Sequence, residues 1–178
     1  TFYIFNDASY SPKPGSDAFT LADFEFGGRW PDPKRLIDYC HENGIKVLLW
    51  QIPVLKSLDE PHEQQERDEA HMLANGYFIR NADGTPYRNK GWWFANGLVV
   101  DFTNPEARDW WFSKRRYLFS ELGIDGMKTD GGEHLWGDEL RSFDGRRGLE
   151  LYNGYANAYV AAYHEFVQQE TGGDGVTF

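Results

Sequence analysis

Leu118-Phe119-Ser120-Glu121-Leu122-Gly123-Ile124-Asp125-Gly126-Met127-Lys128-Thr129-Asp130-Gly131-Gly132-Glu133 is the stretch whose reading decides the architecture. Leu118, Phe119 and Leu122 recur at helical spacing, Gly123 stops the helix, and Ile124 to Thr129 reads as a strand running straight into a glycine-rich turn with two carboxylates. The same order of helix, glycine and strand occurs twice more. Upstream, Asp32-Pro33 supplies an N-cap and a first-turn proline, Leu36, Ile37 and Cys40 form the apolar stripe, and Gly44 precedes Ile45 to Trp50. Downstream, a helix from about Leu149 to Glu170 closes at Gly172-Gly173 before Gly175-Val176-Thr177-Phe178. The helix leading into Ile124 begins at Asn104-Pro105 and is expected to be continuous through Leu122.

Three βα units, with strands near 45–51, 124–130 and 175–178, define an α/β class with a parallel sheet. A doubly wound open sheet and a closed barrel both satisfy this pattern, although no Gly-x-Gly-x-x-Gly follows a strand. Residues 51–97 separate the first two strands by far more than an ordinary βα connection and are expected to be an insertion on the active-site side. They contain an acidic helix candidate, Asp59 to Ala74, and the turn Asn81-Ala82-Asp83-Gly84. Leu98 to Phe102 reads as a short extra strand in which Asp101 is either a cap or a ligand-facing group.

A net charge of −10, from 18 basic and 28 acidic residues, argues against nucleic acid or an anionic membrane as partner and suits a neutral substrate. No apolar run approaches the length of a membrane span, and localisation stays open. Aromatics reach 17% of the residues, and several lie beside Gly, Asn and Asp. That mixture suits a sugar cleft, where ring faces meet C–H groups and carboxylates take hydroxyls, although core packing accounts for such rings equally well. Cys40 is the single cysteine, so neither an internal disulfide nor a cysteine-based zinc site can form.

Asp130 and Glu133 directly follow a strand, where barrel enzymes present reactive carboxylates. Lys128, two residues earlier, points to the same side as Asp130. The structural alternative is that Asp130 caps a turn and Lys128 pairs with it. A metal site is the chemical rival, since Asp130, Glu133 and His134 offer three ligands within five residues but need a fourth from elsewhere. His62-Glu63-Gln64-Gln65-Glu66 has Glu66 where a zinc-protease helix requires His, and no Gly-x-Ser-x-Gly elbow exists.

Five blocks in order, Arg29-Trp30-Pro31-Asp32-Pro33-Lys34, Gly44 to Pro53, Gly76 to Gly84, Val100 to Pro105 and Ile124 to Glu133, resemble glycoside hydrolase family 31, the α-glucosidase and α-xylosidase family. The resemblance runs over essentially the whole chain and implies the central segment of a catalytic (β/α)8 TIM barrel. It implies a retaining α-glycosidase in which Asp130 is the nucleophile that forms a covalent glycosyl-enzyme intermediate. An α-glucosyltransferase of the same family and a non-catalytic carbohydrate-binding truncated barrel are the alternatives. A retaining mechanism needs a second carboxylic acid about 5 Å from the first, and the resemblance places it on a strand beyond Phe178. The rest of the barrel would come from the parent protein or another chain, and the segment alone, with open sheet edges, is expected to be inactive and to associate.

The partner implied is an oligosaccharide or other α-glycoside, with no cofactor and no metal. Lys128 resembles the lysine of the xylosidase-type nucleophile block, and Trp50 is similar to an aromatic lining the glycone pocket. Trp93 and Trp136, with Trp92, are expected to wall subsites, and Glu133 is a further substrate-binding candidate. The run Gly131 to Gly137 departs from the aromatic residue that α-xylosidases place after the nucleophile, so the pocket is altered. The opening stretch to about Ser16, with Asn6, Asp7 and Tyr10, resembles an insertion after the second barrel strand. An aspartate on that strand binds the glycone in the family, and this chain is expected to start just after it; Asp7, in the opening stretch, is a further substrate-binding candidate.

Overall fold

A computed structural model of the chain describes the strand at residues 2–7 by its backbone, and residues 32–59 and 61–178 with their side chains. Tyr10, Ser16 and the block Arg29 to Pro31 lie outside the described residues, as do the side chains of Asn6 and Asp7. The chain divides into two compact units. One comprises Thr1–Gln51, Phe112–Asp130 and Tyr163–Phe178; the other comprises Ile52–Trp111 and Gly131–Ala162.

In the first unit, β1 (Phe2–Asp7) is followed by α1 (Pro33–Glu42) and β2 (Val47–Gln51). Asp32 caps α1 as its composition predicts, its carboxylate accepting from the Arg35 N–H at 3.0 Å, with Pro33 at the first helical position. Gly44, at φ 71°, takes the left-handed conformation that turns the chain toward β2. The chain then runs through β3 (Val54–Leu55), α2 (Glu63–Asn75) and β4 (Leu98–Val99), all in the second unit. It continues through α3 (Pro105–Ser113) and α4 (Arg116–Ser120) to β5 (Gly126–Thr129), then α5 (Gly148–Thr171) and β6 (Val176–Thr177).

The four-stranded sheet has the order β1-β2-β5-β6, every pair parallel. Each strand therefore lies beside the previous strand of the same sheet, with helices in every crossover. A doubly wound sheet reverses direction at a switch point; this one advances one way, as a barrel wall does. Among the described residues the sheet stays open, so it is a segment of a barrel. The expected strands at 45–51, 124–130 and 175–178 are β2, β5 and β6, each shorter by two or three residues in all. Gly126 sets how closely β5 and β6 approach, because a Cβ there would lie 2.0 Å from the Val176 carbonyl oxygen and 2.7 Å from Leu48 Cδ2.

Two expectations need correction. The opening residues read as an insertion, yet Phe2–Asp7 is a full strand of the sheet, with Phe2 in register with Val47 and Asp7 with Trp50. No helix signal preceded this run, so periodicity alone did not separate it from a loop. The helix expected to be continuous from Asn104-Pro105 to Leu122 is broken into α3 and α4. At the break, the Arg115 N–H bonds the Phe112 carbonyl and the Leu118 N–H bonds that of Arg115, tight turns that carry the Arg115 side chain inward to Gln51.

The core of the first unit packs Val47, Leu49 and Met127 of the sheet with Ile37, Leu118 and the end of α5. Phe112 and Phe166 stack at 4.4 Å, and Phe119 meets Phe166 edge-on at 5.4 Å. Between sheet and helices lies one buried polar knot: Gln51 Oε1 accepts from Arg115 Nε at 2.7 Å and from the Tyr163 hydroxyl at 2.9 Å.

In the second unit β3 and β4 form an antiparallel ribbon, with Phe102, Trp111, Tyr155 and Tyr159 beneath it and the Tyr155 hydroxyl donating to the Val100 carbonyl at 2.7 Å. The acidic helix expected from Asp59 begins at Glu63, where the His62 ring nitrogen accepts from the Gln65 N–H at 3.3 Å. That explains the protease-like His-Glu pair: His62 is a cap. Asp101 resolves as a structural turn, accepting from the Thr103 N–H and hydroxyl and from the Phe143 N–H. Among the described residues, no helix is long and apolar enough to cross a membrane.

Candidate active site

The C-terminal ends of β1, β2 and β5 lie side by side in the first unit. Trp50 is in register with Lys128 on one side and with Asp7 on the other, and the Asp130 N–H continues the β5 ladder by donating to the Gln51 carbonyl at 2.8 Å. Side-chain alternation sends Trp50, Lys128 and Asp130 to one face of the sheet while Gln51 and Met127 go to the other. Trp50 Nε1 donates to Asp130 Oδ2 at 2.7 Å, a charge-assisted length for an indole N–H on a carboxylate. Lys128 Nζ stands 3.9 Å from the same oxygen. At that length, with both side chains partly exposed, the ion pair adds little to stability. Its consequence is local: a positive charge and three donors beside the carboxylate.

Asp130, Lys128 and Trp50, named from sequence, are therefore together, and Asp7 joins them by backbone register. Trp93, Glu133 and Trp136 belong to the second unit. There Trp93 is half-buried and packs on Phe94 at 5.0 Å and on the His134 ring at 5.1 Å. Trp136 and Trp92 are exposed, and the Trp136 backbone N–H donates to the Tyr87 hydroxyl at 3.1 Å. Glu133 is exposed, two residues past the left-handed Gly131. Asp130, Glu133 and His134 do not form a ligand set: among the described residues, no group of three or more His, Cys, Asp or Glu side chains is arranged to hold a metal ion.

Two polar arrangements escaped sequence reading. Gln51 was visible only as a polar residue ending an apolar strand, and its Arg115 and Tyr163 partners lie 64 and 112 residues away. At the opposite end of β2 and β5, Asp125 accepts from His41 Nε2, from the Val47 N–H and from Lys46 Nζ, at 2.8, 2.8 and 2.9 Å. Burial pushes the Asp125 carboxyl up, but the Val47 N–H, Lys46 and His41 outweigh it and hold it below the usual carboxylate range.

A singly wound parallel sheet with carboxylate, lysine and tryptophan gathered at its C-terminal edge defines a barrel-enzyme segment. The chain belongs to the glycosyl hydrolases of family 31: the model of that family's TIM-barrel domain matches residues 3–177. It is 49% identical to an isomaltosyltransferase of Sporosarcina globispora over 100% of this chain and 16% of that protein. It is 44% identical to a 1,3-alpha-isomaltosidase of Kribbella flavida over 98% of this chain and 24% of that protein. Among solved structures, a cycloalternan-forming enzyme of Listeria monocytogenes in complex with a pentasaccharide substrate is similar with a TM-score of 0.83 and 42% identity, over 96% of this chain and 16% of that one. The chain thus spans about a sixth to a quarter of the length of these relatives.

Proposed function

We propose that this chain is the part of a retaining α-glycosidase barrel that carries the nucleophile, and that the substrate is an α-linked gluco-oligosaccharide containing an isomaltosyl unit. The single observation that supports this reading most strongly is the Trp50 Nε1 to Asp130 Oδ2 bond of 2.7 Å at the C-terminal edge of the sheet. A nucleophile must be aimed as well as basic, because attack on an anomeric carbon requires a near-attack geometry. The indole bond fixes the carboxylate plane. Lys128 supplies a charge beside it and a donor for a sugar hydroxyl.

In the first step a carboxylate oxygen of Asp130 bonds to the anomeric carbon while the bond from that carbon to the leaving oxygen breaks. A carboxylic acid from the remainder of the barrel protonates that oxygen. In the second step the same group, now a carboxylate, takes a proton from water or from a sugar hydroxyl, which displaces Asp130 with net retention. Hydrolysis and isomaltosyl transfer diverge only here, and likeness to both an isomaltosidase and an isomaltosyltransferase supports keeping both as products of one intermediate. Residues 51–97 are proposed as the insertion facing the substrate, with its Trp93, and with Glu133 and Trp136 from the run after Asp130, as sugar contacts.

The test is a 2-fluoro-α-glycoside with a good leaving group, applied to a complete barrel carrying this sequence. Peptide mass spectrometry should find the sugar on Asp130, and Asp130→Asn should abolish it. Labelling at any other carboxylate, or none with a turnover-competent protein, would reject the assignment.

A further inference from the structure

The loops that follow β2 and β5 both enter the second unit, and there they meet in a cluster that the sequence did not announce. Lys56, five residues past the end of β2, places Nζ 4.9 Å from the centre of the Phe94 ring. Phe94 is in ring contact with Trp93, and Trp93 with His134, which is four residues past Asp130 in the chain. The Lys56 backbone is clamped, its carbonyl accepting from Gln65 Nε2 at 3.0 Å. Phe94 sits at φ 53°, a left-handed conformation that is strained for a bulky side chain. The strain is held in place by the buried Asn89, whose Nδ2 donates to the Trp93 carbonyl at 2.5 Å and to that of Phe94 at 3.3 Å.

We propose that Lys56, with the Trp93 and Phe94 rings, forms a subsite for a glucosyl unit within the second unit, Lys56 donating to its hydroxyls and the rings receiving its C–H face. This rests on the proposed glycosidase reading and specifies how the substrate is held. Three observations lead to it. A strained aromatic conformation locked by a dedicated amide presents a ring at a fixed angle, which core packing does not require. A long cationic side chain ordinarily extends its head into water; this one is held against a ring, with burial lowering its ammonium from the ordinary 10.5 to about 8. Its N–H donors suit neutral hydroxyls. The chain's net charge of −10 points the same way.

The experiment uses a complete barrel carrying this sequence, with isomaltotetraose as the long ligand and an aryl α-glucoside as the short one. First, reductive methylation of the unmodified protein at pH 8 is read at Lys56 by mass spectrometry. Saturating isomaltotetraose should slow it at least threefold, and an unchanged rate overturns the proposal without any question of misfolding. Second, Lys56→Met and Trp93→Ala should each lower the ratio of kcat/KM for isomaltotetraose to that for the aryl glucoside at least tenfold. A preserved ratio, whether both values hold or both fall together, overturns it. Binding to an Asp130→Asn protein separates the two readings. A tenfold weaker dissociation constant on adding Lys56→Met, where the barrel with Asp130 intact turns over neither substrate, upholds the subsite and rejects the glycosidase. Labelled Asp130 with unprotected Lys56 does the reverse.

Discussion

Replacing Trp50 by Phe removes the indole N–H and one of the two fused rings while keeping an aromatic face, and the direction of its effect is not obvious. The lost bond, 2.7 Å from indole Nε1 to Asp130 Oδ2, is of the charged-acceptor class, worth about 1.5–3 kcal/mol. Two consequences oppose each other. As the bond to the anomeric carbon forms, Asp130 sheds negative charge, so a donor that stabilises the free carboxylate slows attack, and its loss alone would speed the reaction. Against this, χ2 of an aspartate is a broad torsion, and without the indole the carboxylate plane is free to swing. Misplacement by about 1 Å costs on the order of 100-fold, whereas the electrostatic gain is only the fraction of those few kcal/mol that is lost between ground and transition states.

Orientation therefore wins, and Trp50→Phe should lower kcat/KM for an activated aryl α-glucoside by about 10- to 100-fold, that is by roughly 1.4–2.8 kcal/mol. Pre-steady-state measurement of the labelling step assigns the loss to glycosylation. A folded variant with an unchanged or faster glycosylation rate would refute the orienting role and leave Trp50 as a packing residue.

Gly126→Ala should weaken the β5–β6 edge severely, because its Cβ would meet the Val176 carbonyl oxygen at 2.0 Å and overpacking costs about 1–3 kcal/mol before any ladder bond is lost; denaturant titration should show it, and a wild-type midpoint would contradict the strand spacing. Gln51→Leu should destabilise by several kcal/mol, on the order of 3, by removing the acceptor of the buried Arg115 and Tyr163 bonds, while Gln51→Glu, which keeps an acceptor there, should lose less than half as much; equal losses would show that the acceptor is not what matters. The Asp125 carboxyl is depressed in the folded state, so its stabilisation is present above the unfolded value and lost as pH falls through the folded one. Asp125→Asn should accordingly lower stability at pH 7, and the difference from wild type should shrink below about pH 4; a pH-independent difference would assign the effect to shape.

Periodicity and terminus chemistry were enough to place α1, α5 and the strands β2, β5 and β6, because caps, stop glycines and apolar stripes act within one or two turns of chain. Five blocks in order were enough for the family, and the position of Asp130 after a strand was enough to make it a candidate. β1 was not legible: a strand is stabilised by its neighbour, and its partners in β2 are 43 to 45 residues on. The break between α3 and α4 was hidden for the same reason, since Arg115 turns inward for an acceptor on Gln51. Singly wound order, the feature that separates a barrel wall from a doubly wound sheet, exists only as strand adjacency. Nor did the sequence show that Trp50 bonds Asp130, or that Lys56 is held over the ring of Phe94; local chemistry writes the elements, and only their packing decides which polar groups lose water and find each other.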